Sequence, residues 1–60
     1  MTRLKDAGIR EIEFARENLL PLLPGVTFDA LLDHGVYDPR LDTVAITIKA
    51  VTYTRKVTRP

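Results

Sequence analysis

The chain has 60 residues, nine Lys and Arg against eight Asp and Glu, and no cysteine or serine. That length allows one domain. Without cysteine there are no disulfides or thiolate metal sites, and a single His does not make a usual structural zinc set. Serine and cysteine nucleophile chemistry is excluded by the same absences. A net charge of +1 matches neither a histone-like nucleic-acid binder nor a polybasic membrane anchor.

A domain of this size buries only about 60% of the surface its unfolded chain exposes, and its core contributes roughly 3–5 kcal/mol. With no covalent or metal staple available, the chain is expected to gain stability from a partner. The longest apolar run, Leu19-Leu20-Pro21-Leu22-Leu23-Pro24, is broken by prolines and far shorter than a membrane span of about 18 residues. Met1 to Asp6 is followed by no apolar stretch of the signal-peptide kind. Neither a signal nor a membrane segment is expected, which points to the cytoplasm or to a particle assembled inside the cell.

Residues 3–20 read as a helix. Leu4, Ile12, Ala15 and Leu19 fall on one side of a 3.6-residue period, widened by Ile9 and Leu20, while Phe14 falls off that stripe. Thr2 is the expected N-cap, and Pro21 the expected stop. Arg10 is spaced to pair with Asp6 and Glu13 on the polar side. Pro24-Gly25 marks a turn. Thr27 is a second N-cap, Asp29 suits the positive end of a helix over 28–34, and Gly35 is its stop. Tyr37-Asp38-Pro39-Arg40 is a turn into the last segment.

Residues 43–58 contain no Gly, Pro, Asn or Asp, and ten of them are β-branched. This composition predicts an extended segment. Simple alternation along a continuous strand puts Val44, Ile46, Ile48 and Ala50 on one face and Thr47, Lys49, Val51, Tyr53 and Arg55 on the other. Three arrangements satisfy its backbone: a hairpin around Lys49–Val51, pairing with a second copy, or addition to another protein's sheet. The lack of turn residues favours the two intermolecular arrangements.

Charge divides the chain in the same place. Residues 1–42 hold all eight acids and five bases, net −3, whereas residues 43–60 hold Lys49, Arg55, Lys56 and Arg59 and no acid, net +4. An acidic body with a basic β-rich arm suggests head-to-tail association or an acidic partner.

The residues that suggest chemistry are Asp29, Asp33, His34, Asp38 and Asp42. They match no metal-binding or acid–base motif, and capping or turn roles account for each. Glu13 and Glu17 share the polar helix face beside Arg10 and Arg16, the usual setting of solvated charge. No phosphate-binding glycine loop is present.

The sequence therefore predicts one α+β domain over 1–60, with helices at 3–20 and 28–34 and a long C-terminal β-segment completed by another chain. Leu4, Ile12, Leu19, Phe28, Leu31, Leu32, Val44, Ile46 and Ile48 are the expected core. The expected function is a non-enzymatic structural or assembly subunit, part of a virion or other multisubunit particle, with no cofactor or metal. Its partner-binding residues are expected to be Ile46, Ile48, Lys49, Val51, Tyr53 and Arg55, meeting either a second copy or a larger assembly. A small regulator or inhibitor of one macromolecular target is one alternative, and a β-ribbon DNA binder using the basic arm is the other. No membrane partner is expected.

Overall fold

Gly8 splits the segment over which the apolar stripe predicts one helix. In the computed structural model, which describes residues 1–57, Thr2–Arg3 form a short strand (β1) and Leu4–Asp6 a single 3-10 turn. The first helix (α1) runs only from Ile9 to Asn18. Thr2 is therefore not an N-cap but a strand residue opposite Tyr37, and Gly8 takes the capping position of α1.

Glu11 stands three residues beyond Gly8, the position from which a carboxylate folds back over a helix start. It is only 9% exposed, and a Cβ on Gly8 would lie 2.6 Å from its Oε1. The break also changes which charges meet. Asp6 belongs to a separate turn, so Arg10 does not bridge it to Glu13; instead Arg16 Nε donates to Glu13 Oε1 at 3.1 Å. Ile9, expected to widen the stripe, is 70% exposed, and Phe14, expected off it, packs against the core.

After α1 a second 3-10 turn, Leu20–Leu22, contains Pro21, and Gly25 adopts φ 84° in the following turn. The second helix (α2), Phe28–His34, has the expected bounds and start. Thr27 Oγ1 accepts from the Ala30 amide at 3.1 Å, with Asp29 in the first turn. Gly35 follows α2 in extended backbone, and crowding leaves room there only for glycine. Its amide donates to Leu31 O at 2.7 Å and its carbonyl accepts from the Leu4 amide at 2.9 Å. A Cβ there would lie 2.6 Å from Leu31 O and 3.1 Å from Leu4 Cδ2.

Three further strands follow: β2 (Val36–Asp38), β3 (Thr43–Ile48) and β4 (Val51–Lys56). With β1 they make a four-stranded antiparallel sheet in the order β1-β2-β3-β4. The class is α+β. The β-branched run is a hairpin rather than one long strand, contrary to the weight that the missing turn residues carry. Lys49 (φ 50°) and Ala50 (φ 67°) form the two-residue turn, both left-handed, as a type I′ hairpin turn demands. For such residues this conformation costs roughly 1–2 kcal/mol each. Six paired positions along β3 and β4, and burial of Val44 and Ile46, outweigh it. Thr58 of the expected segment and Arg59 of its basic end lie outside the described residues.

The turn also resets the faces. Directly paired residues share a face, so the pairs Val44–Arg55, Ile46–Tyr53 and Ile48–Val51 all lie on the helix side. Alternation through a continuous strand had put Val51, Tyr53 and Arg55 opposite to Ile46. The core joins Leu4, Ala15, Leu19, Leu23 and Leu31 to Val44, Ile46 and Val57. Ile12, Phe28, Leu32 and Ile48, expected within it, pack around it half-buried. Among the described residues, no helix is long and apolar enough to cross a membrane.

Candidate functional site

The far edge of the sheet is where this fold leaves backbone available. In an antiparallel ladder, alternate residues exchange hydrogen bonds with the neighbour and those between them turn outward. The two-residue turn makes Ile48–Val51 a bonded pair, so Ile46–Tyr53 and Val44–Arg55 are bonded pairs too. The next step of the same series is visible directly: the Val57 amide donates to Asp42 O at 2.8 Å. By this alternation Thr52, Thr54 and Lys56 direct their amides and carbonyls away from β3. All three are exposed, and no strand lies beyond β4 among the described residues.

One of these outward carbonyls is covered. Arg55 Nη1 donates to Thr54 O at 2.8 Å. Arg55 stands on the helix side of the sheet, opposite buried Val44, and its exposed side chain returns to the strand's own outer edge. A charged side chain on an edge strand is a known device against unwanted pairing.

The base of the hairpin is fixed from the other side. Asp42 is left-handed (φ 54°), its carbonyl holds the Val57 amide, and its Oδ1 accepts from Tyr37 Oη at 2.7 Å. At the tip, Thr47 and Thr52 hydroxyls lie 2.9 Å apart across the strands. Both ends of β4 are thus held in register against β3.

The residues expected to bind a partner occupy different settings. Ile46 is 2% exposed and belongs to the core. Ile48 and Tyr53 are half-buried against it. Lys49 is at the turn, and Val51, 51% exposed, follows it. Arg55 is the member that acts on the edge itself. Thr52, Thr54 and Lys56, which carry the outward backbone, escaped notice because a continuous strand has the wrong parity. Counting alternation forward from a turn at 49–50 is the signal that finds them.

The opposite face of the sheet lines a shallow concavity of about 550 Å³, which His34 at the end of α2 also borders. Val36, Thr43, Ala45 and Thr54 line it, with exposed Met1 and Leu41 also contributing. An antiparallel sheet commonly leaves one such face to water.

The acidic residues near α2 have separate partners. Asp33 Oδ1 lies 3.9 Å from Lys5 Nζ, and Asp33 O accepts from Arg3 Nη1 at 2.9 Å. Asp38 Oδ1 accepts from the Arg40 amide at 2.9 Å, inside the β2–β3 turn. No group of three His, Asp or Glu that could hold a metal occurs among the described residues. On α1, Glu13 titrates below the ordinary carboxylate range because Arg16 donates to it, and Arg16 is raised by the same contact. Both side chains face solvent. No family model, curated protein or solved structure matches this chain.

Proposed function

We propose that this protein is a non-enzymatic assembly module, an accessory subunit that joins a larger complex by adding its edge strand β4 to a strand of another chain. The observation that carries this reading is the outer edge of β4: six residues without proline or bulge, presenting outward backbone at Thr52, Thr54 and Lys56. Strand addition draws its affinity from such main-chain groups, and side chains beside them set the choice of partner. The small core gives the association a thermodynamic motive, since a bound strand stabilises the folded chain by mass action. An intracellular assembly is the setting that suits a cysteine-free chain.

The test is a backbone substitution. Thr54→Pro removes an outward amide and leaves the β3–β4 ladder its own bonds, because proline is tolerated where the amide faces away from the neighbour. In amide-exchange measurements on the complex, Thr52, Thr54 and Lys56 are expected to gain protection, and Thr54→Pro is expected to abolish association with its circular dichroism unchanged. Association that survives in the proline variant, with the Thr52 and Lys56 amides unprotected, would refute the reading.

A further inference from the structure

We infer that the occupant of the β4 edge is an acidic extended segment of another protein, admitted when its carboxylate draws Arg55 off the Thr54 carbonyl. This rests on the strand-addition reading above and goes beyond it by naming the partner's chemistry. Thr54 is the middle of the three outward residues, so an arriving strand needs its carbonyl as an acceptor. That acceptor is held by Arg55 Nη1 at 2.8 Å. A carbonyl oxygen can accept two hydrogen bonds, so the guanidinium and the arriving amide compete for room there, and a displaced guanidinium turns to water or to an acceptor on the partner. A carboxylate provides one through a charge-assisted hydrogen bond, stronger than the neutral carbonyl it replaces. An uncharged strand offers no such exchange, and a basic one opposes it.

The surroundings carry the same sign. From Thr43 to Val57 the hairpin holds Lys49, Arg55 and Lys56 and no acid. None of the three bases forms an ion pair among the described residues. A second copy of this chain fits less well, because its β4 brings the same bases and no carboxylate to the edge. In an antiparallel complex the residue opposite Arg55 would be a non-bonded, close pair on the added side, where opposite charges stabilise and like charges destabilise. An Asp or Glu at that place is the expected mark of the partner. Arg55 then both bars casual pairing and selects the partner that releases it.

The experiment uses the full chain and three capped ten-residue peptides in which Val alternates with Glu, Thr or Lys. The Glu peptide is expected to bind about tenfold more tightly than the Thr peptide, a difference of about 1.4 kcal/mol, and the Lys peptide not at all. Binding should shift and protect the amides of Thr52, Thr54 and Lys56, and weaken with salt. Arg55→Glu should reverse the order in favour of the Lys peptide. Arg55→Gln, which removes the charge and leaves a shorter polar side chain, should erase the difference between Glu and Thr if the Glu variant does not fold. Equal binding of the Glu and Thr peptides to the unaltered chain would overturn the acidic partner and leave strand addition standing. Failure of all three would overturn both. Dimerisation of the chain alone through the same amides would make a second copy the occupant. Salt-sensitive binding of a DNA duplex without protection of those amides would replace the acidic segment with nucleic acid.

Discussion

The two edges of the sheet are guarded in different ways. β1 is two residues long and runs directly into Leu4, which is fully buried, while Arg3 is tied across to the end of α2 through the Asp33 carbonyl. That edge is closed by brevity and by the buried Leu4 that follows it. β4 is three times as long, exposed along most of its length, and guarded by a single side-chain bond from Arg55. A strand anchored by a buried neighbour is released only by unfolding the segment. A side-chain closure exchanges with solvent on the timescale of rotamer motion. The contrast teaches that an edge can be solvent-facing and still selective.

The largest way to break this contrast is to force open the closed edge. Gly35→Ala places a methyl group against Leu31 O and Leu4, and is expected to cost about 3 kcal/mol, as overpacking and lost backbone contacts do in a dense interior. In a chain of this size that removes most of the stability, and thermal melting by circular dichroism would show a broad, lowered transition. A melting temperature unchanged by Gly35→Ala would mean that β1 and its turn are not held there. Next comes the open side. Lys49→Asn with Ala50→Gly supplies the residues that left-handed positions prefer, and is expected to stabilise the chain by about 1–2 kcal/mol. Preference for the Glu peptide should weaken with the loss of the Lys49 charge and yet persist, because Arg55 is untouched.

The smallest effect is expected at Glu13→Gln, on α1 and remote from both edges. The native state lowers the pKa of Glu13 through its bond from Arg16, so the unfolded chain takes up the proton first as the solution is acidified. The pair's stabilisation is therefore full above the ordinary carboxylate range and fades as pH falls through the lowered native value. Both partners are open to solvent, so the variant should melt almost as the parent does at neutral pH. The small gap between the two should close on acidification. A gap that widened in acid would contradict the sign.

The parts of the fold that could be read from the sequence are those whose signals are local. Thr27, Asp29 and Gly35 announce the start and end of α2, and the structure uses Thr27 as its hydroxyl cap. The β-branched run announces extended backbone between Thr43 and Lys56. The failures come where tertiary contacts decide. Leu4 keeps the helical period across Gly8, although it belongs to a different turn whose amide bonds to Gly35. A two-residue strand such as β1 has no pattern to read. The hairpin turn was hidden because Lys49 and Ala50 are ordinary residues held in an uncommon conformation. That turn then decided the candidate site, since it moved Arg55 to the helix side and put Thr52, Thr54 and Lys56 on the outward register. Ile46 was legible as apolar, but its burial makes it part of the support for the edge.

The left-handed pair at Lys49 and Ala50 has a kinetic consequence. A tip built from residues that resist its geometry is a poor nucleus, because early structure gathers local contacts that form cheaply. The hairpin should close after the helices and β2 have provided a surface for Val44 and Ile46. Easing the tip with Lys49→Asn and Ala50→Gly would then leave the refolding rate near its original value and lengthen the lifetime of the folded chain, which is how stabilisation formed after the transition state is expressed.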